Sequence, residues 1–158
     1  MKFKKPLISL LISVTFSQLI CFSLTFPLQA ADFIFPAKPA STTFIVDEAN
    51  LISPSDHLKI DEIIKTTFQE KDVPIYVVTI PSLSNYGGRQ SEIEIYANSL
   101  FNKWGIGHRV HNYGILLLIA KEDRKARIQL GASWNADAPI RSKEVMDRLI
   151  IPKFKSGD

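Results

Sequence analysis

Pro74-Ile75-Tyr76-Val77-Val78-Thr79-Ile80-Pro81 is a continuous run of β-branched and aromatic residues bracketed by prolines. Such a run has no polar face, so it suits a strand covered on both sides rather than one lying on a wet surface. Upstream of it, Ser53-Pro54-Ser55-Asp56 reads as a helix start. Serine caps the free N–H groups, proline fits the first helical position, and an acid complements the dipole. Leu58, Ile60, Ile63, Ile64 and Phe68 are expected to form the buried stripe of that helix. Farther back, Thr43-Phe44-Ile45-Val46 is a short β-branched strand ending at Asp47.

On the other side, a polar loop from Ser82 to Arg89 leads to a second helix, with Ile93, Tyr96, Ala97, Leu100 and Phe101 on one face. Gly114-Ile115-Leu116-Leu117-Leu118-Ile119-Ala120 follows as a central strand, too short to span a membrane as a helix. The charged turn 121–125 joins it to the alternating Ala126-Arg127-Ile128-Gln129-Leu130, a hairpin partner nearer the sheet edge. A last helix is expected from Ser142 to Ile151, stopped by Pro152. The order β-α-β-α-β-β-α predicts an α/β fold with a mixed sheet.

The N-terminus is organised differently. Lys2, Lys4 and Lys5 precede an uncharged stretch from Pro6 to Phe26, and Pro27-Leu28-Gln29-Ala30-Ala31 ends it. Residues 1–30 thus read as an export signal cut after Ala30, or as an anchor retained through residues 6–26, with cleavage favoured by the proline and alanines. Cys21 has Ile20 before it, not the small residue of a lipoprotein site, and is an ordinary apolar residue of the signal. Both outcomes put the working domain outside the cytoplasm, in the periplasm or secreted. Residues 31–42, rich in proline and alanine, read as a linker, and 43–158 as the domain.

Three of the 19 basic residues lie in the signal and none of the 16 acids does, so the exported part is formally neutral. A basic surface for nucleic acid is therefore unsupported. Cys21 is the only cysteine, which excludes an intrachain disulfide.

Several stretches resemble the TPM domain family. They are Val46-Asp47-Glu48-Ala49-Asn50-Leu51-Ile52-Ser53, Tyr96-Ala97 with Trp104-Gly105-Ile106-Gly107, and Asn112-Tyr113-Gly114 running into the third strand. Asp123-Arg124, Arg127-Ile128-Gln129-Leu130-Gly131 and the closing 151–158 complete the series in the same order. The resemblance implies a three-layer α/β/α sandwich on a mainly parallel sheet, in an extracytoplasmic or membrane-associated protein. It also implies a range of roles: photosystem II repair and acid phosphatase activity in thylakoid-lumen members, receptor modulation in an animal branch, and calcium-binding modules in bacteria. Two departures stand out. Gly131-Ala132-Ser133-Trp134-Asn135 has one glycine where the family has several, and the family's final helix past Gly157-Asp158 is expected to be missing.

In open α/β sheets ligands gather beyond the carboxyl ends of the strands. That rule brings together Asp47-Glu48, Ser82 to Asn85, and Glu122-Asp123. Asp47, Glu48 and Asp123 would suit calcium or magnesium, and Asp47 with Asp123 a metal-assisted phosphoester hydrolysis. The simpler reading makes Asp47 a turn cap and Asp123 a hairpin residue. His108 and His111 lack the third ligand of a zinc site. Gly87-Gly88-Arg89 lacks the lysine and spacing of a phosphate loop. Trp104 and Trp134 read as core or rim. Three functions remain: a module that binds or maintains a membrane protein assembly, a divalent-metal-dependent acid phosphatase, and an inactive fragment of a longer protein.

Overall fold

A computed structural model describes residues 33–40, 42–89, 92–107 and 111–156. The stretch 1–30 read as an export signal, with Cys21, and also His108 and the closing Gly157-Asp158 lie outside the described residues. Four strands form one sheet in the order β1 (Ile45–Asp47), β2 (Ile75–Ile80), β3 (Ile115–Ala120) and β4 (Lys125–Leu130). The first three run parallel and β4 returns antiparallel, the mixed, mainly parallel sheet anticipated from the element order.

Helix α1 (Pro54–Lys71) links β1 to β2, and α2 (Ile93–Trp104) links β2 to β3. Both crossovers step in the same direction across the sheet, so their right-handedness puts both helices on one face. Ring contacts agree: Phe68 of α1 lies 5.5 Å from Phe44, Trp104 of α2 lies 5.8 Å from Tyr76, and Phe44 and Tyr76 are 5.3 Å apart. Register pairs Tyr76, Val78 and Ile80 with Leu116, Leu118 and Ala120, and all six are buried beneath these helices. The final helical segment lies against β4 and supplies the third layer of the α/β/α sandwich.

Helix α1 starts as its sequence dictates. Ser53 Oγ accepts from Asp56 N at 3.2 Å, Pro54 follows, and Asp72 closes the helix in a left-handed conformation. Its buried stripe is narrower than expected. Ile64 is buried and Ile60 packs on the core, whereas Leu58 and Ile63 are 71% and 63% exposed. Residues 60, 64 and 68 repeat every four and share one line on the helix, and 58 and 63 fall outside it. Helix α2 buries Ile93, Tyr96, Ala97, Leu100 and Phe101, the whole expected face, together with Trp104.

The last helix departs from the sequence reading at both ends. It starts as α3 (Ala138–Val145), widens into a π-helical turn (Met146–Ile150), and continues as α4 (Ile151–Ser156) past Pro152. A proline ring collides with the carbonyl four residues earlier in a regular helix. The wide turn just before Pro152 is where the chain absorbs that conflict, so the helical path continues past the proline. The final helix expected from Ser142 is thus present, follows β4 and covers it, whereas the helix expected to be missing concerned sequence past Gly157-Asp158, outside the described residues.

Residues 33–38 carry no helix or strand, in keeping with their prolines, yet they pack closely. Phe33 and Phe35 sit 5.2 and 5.3 Å from the Tyr96 ring. Ile34 N donates to Tyr86 O at 2.9 Å, the Tyr96 hydroxyl donates to Ile34 O at 2.9 Å, and Trp104 Nε1 donates to Pro36 O at 3.2 Å. The stretch read as a linker is a strap over α2. Among the described residues no helix is long and apolar enough to cross a membrane.

Candidate functional site

The three segments expected at the carboxyl edge of the parallel strands do meet there, and hydrogen bonds tie them together. Asp47 ends β1 opposite Thr79 of β2. Its carboxylate accepts Leu51 N at 2.9 Å, Ile52 N at 3.0 Å and the Thr79 hydroxyl. Thr79 is fully buried; its oxygen also accepts Ala49 N at 3.2 Å, and its carbonyl accepts Glu48 N at 3.0 Å. The ladder between β1 and β2 is thus carried past the end of β1 by side chains.

Burial alone would raise the Asp47 pKa, but the bonds from Thr79, Leu51 and Ile52, with His57 nearby, outweigh it and hold it below its ordinary value. The group stays ionised, and both of its oxygens accept hydrogen bonds. That is the turn-cap role, extended by a partner 32 residues away.

Asp123 sits in the β3–β4 turn, where the sequence placed it, and reaches across to the exit of β2. Ser82 Oγ donates to its Oδ1 at 3.0 Å, and Leu83 N donates to its Oδ2 at 2.7 Å. It therefore anchors the 3₁₀ turn Leu83–Tyr86, which replaces part of the expected loop. Gly87 closes that turn with φ of 76°, so its glycine serves the backbone rather than an anion.

Glu48 points the other way, accepting the Tyr86 hydroxyl. Burial, followed by the Glu48 hydrogen bond and charge, pushes the Tyr86 phenol up to about 12. Lys121, at the end of β3, donates to Ala49 O at 3.3 Å and closes the ring of contacts. Glu122 is exposed, its backbone N–H bonded to Pro81 O at 2.9 Å.

Thr79, Tyr86 and Lys121 escaped the sequence reading. Thr79 had a visible signal, as the one aliphatic hydroxyl in a strand of otherwise aliphatic and aromatic side chains. Tyr86 and Lys121 had none, because their partners lie 38 and 72 residues away.

The oxygen-rich donor set has the chemistry of a calcium or magnesium site, but its arrangement does not match one. Asp47 and Asp123 aim their oxygens at N–H and O–H donors of the protein, and Glu48 is turned to Tyr86. Among the described residues no three His, Cys, Asp or Glu side chains are grouped so as to hold an ion. His111 is exposed beside the amino end of β3, away from these acids.

The opposite end of the sheet is built around Asn112. Its N–H donates to Ser133 Oγ at 2.9 Å, and its carbonyl accepts Ser133 N at 3.0 Å. A Cβ at either Gly107 or Gly131 would overlap its side-chain oxygen, and Gly107 has φ of 104°, so both positions require glycine.

The comparisons with known proteins agree on this architecture. The N-terminal domain of a protein from P. gingivalis, solved in solution, matches with a TM-score of 0.62 and 26% identity over 74% of this chain and 72% of that one. The N-terminal domain of the cg2496 protein from Corynebacterium glutamicum matches with a TM-score of 0.58 over 80% of this chain and 78% of that one. Its 17% identity speaks to the fold alone. No curated protein matches the chain. The family model described as TPM domain matches residues 45–158, from the first residue of β1 through the last helix, and the chain belongs to the TPM domain family.

Proposed function

We propose that this is an extracytoplasmic TPM-domain protein that binds and helps maintain a membrane protein assembly. The observation that supports the reading is how the carboxyl-edge acids are used. Asp47 and Asp123 fix the loops after β1 and β2, and together they hold that edge as a rigid contact surface. Rigid elements with satisfied polar groups suit recognition, since little freedom is lost on docking. The near-neutral domain fits a protein partner better than a nucleic acid. Residues 1–30 would deliver the domain across the membrane, and residues 6–26 would hold it there where the signal is kept.

The test is a photo-cross-linker at Asn85 in cells of the native host. Adducts with a defined membrane protein, together with loss of that assembly when the gene is deleted, are the expected result. An intact assembly in the deletion strain, with efficient phosphoester turnover by the purified chain, overturns the reading.

A second reading, a divalent-metal-dependent acid phosphatase using Asp47 and Asp123, draws on one fact: both acids occupy the same sheet edge, and Asp47 remains ionised. Calcium titration followed by calorimetry asks whether Asp47, Glu48 and Asp123 bind the ion. Unchanged phosphatase activity in the Asp47→Ala, Asp123→Ala double variant rejects that assignment.

A further inference from the structure

Ser133, Trp134 and Asn135, within the stretch singled out above for departing from the family's glycine-rich pattern, form one wall of a pocket at the opposite end of the sheet from the acids. The cavity holds about 370 Å³ and is lined by Tyr113, Ser133, Trp134, Asn135, Ala138 and Arg141. Its volume lies in the range of small-ligand sites.

Its walls are fixed. Trp134 Nε1 donates to Tyr113 O at 3.0 Å and to Gly114 O at 3.3 Å, which sets the indole in place. The Tyr113 ring meets it edge to face, with centroids 5.4 Å apart and planes at 89°. Asn135 Oδ1 accepts Ala138 N at 3.1 Å, leaving its amide N–H₂ as a donor. Ser133 Oγ accepts Asn112 N, leaving its hydroxyl hydrogen to donate.

Arg141 completes the set. Asp137 stands one helical turn before it, the usual spacing for an ion pair. Elsewhere on the same helical segment Lys143 pairs with Asp147, and Arg148 with Glu144 at 2.6 Å. Among the described residues Arg141 makes no such pair, and it lines the pocket instead. The lining therefore offers a guanidinium, an amide and a hydroxyl as donors, no carboxylate, and two aromatic rings.

We propose that this pocket binds an aromatic carboxylate, with the acid group on Arg141, Ser133 and Asn135 and the ring against Trp134 and Tyr113. A planar guanidinium matches a carboxylate through two parallel hydrogen bonds, and the aromatic pair supplies the apolar surface for the body of the ligand. A free aromatic acid and the C-terminal residue of a peptide share this chemistry.

The full chain in lipid nanodiscs can be titrated with N-acetylphenylalanine, its carboxamide, a tetrapeptide ending in free phenylalanine, and inorganic phosphate. The chain's two tryptophans give two indole N–H resonances as reporters. The acid should shift the Trp134 resonance, leave that of buried Trp104 in place, and bind about tenfold tighter than the carboxamide. Arg141→Gln, on an exposed helix position, should abolish that preference without altering the rest of the spectrum. Binding of the tetrapeptide as well points to a protein terminus as the source, and binding of the small acid alone to a free metabolite. Equal affinity for acid and carboxamide, an unchanged preference in Arg141→Gln, equal competition by phosphate, or no shift of Trp134 at millimolar acid would each overturn the proposal.

Discussion

Asp47 and Thr79 are register partners on adjacent parallel strands, and the Thr79 hydroxyl donates to the Asp47 carboxylate while accepting the N–H of Ala49. One buried hydroxyl thus joins a strand end to the loop that follows it. Thr79→Val keeps the shape and removes both bonds, leaving the Ala49 N–H and one Asp47 oxygen without that partner. The expected loss is about 1–3 kcal/mol of unfolding free energy, read from urea melts. A loss no larger than that of an exposed Thr66→Val control would separate the pair from stability.

The same carboxylate makes an acid-dependent contribution. Its native pKa lies below the ordinary 3.8, so the unfolded chain takes up the proton first as pH falls. The stabilisation is complete above 3.8 and is lost as pH drops through the lower native value. Asp47→Asn should flatten the stability profile in that window, measured by urea melts at stepped acid pH. A profile parallel to that of the parent would refute the assignment.

Tyr86 makes the mirror prediction at high pH. Its phenol ionises at about 12 when folded against an ordinary 10.0, so its contribution is complete below 10.0 and fades as pH rises toward 12. Ultraviolet titration of Glu48→Gln should move one tyrosine back toward 10.0, because the charge and the acceptor that hold the proton are both altered.

Asp123→Ala should release the 3₁₀ turn. The Leu83 N–H loses its 2.7 Å acceptor although the Leu83 side chain remains fully buried. Hydrogen exchange at Leu83 should accelerate, with a global cost of about 1–2 kcal/mol. Unchanged protection at Leu83 would show that the turn holds without Asp123.

How much of this was written in local sequence depends on distance along the chain. The proline-bracketed run of β2 and the serine-proline start of α1 are short-range signals, and both elements form where those residues stand. The meeting of Asp47, Ser82 and Asp123 at one edge followed from strand order alone. Their bonding did not, because a carboxylate's partner 40 residues away leaves no periodic trace. The strap at 33–38 was hidden for a related reason: the alternation of Phe33 and Phe35, both packed on Tyr96, is cut short by Pro36 before it can mark a buried face. Pro152 misled because a proline's cost in a regular helix is local knowledge, while the π turn that absorbs it is set by the whole helical segment.

Tyr96→Phe tests the strap directly. It removes the hydroxyl that holds Ile34 O while keeping the ring contacts. Limited proteolysis should cut faster between residues 36 and 42, with a stability loss of about 1 kcal/mol. Cleavage at the parent rate would show that the rings alone hold the strap.

The strap also decides where a pull on the N-terminus would be felt. Tension transmitted along the chain reaches Ile34 and Pro36 first, and passes into α2 and the turn before it through Tyr96, Tyr86 and Trp104. Only after those attachments yield does the load arrive at β1, an edge strand of three residues that would otherwise peel away first. The aromatic strap is a strain relief, of the kind that keeps a cable from tearing at its socket.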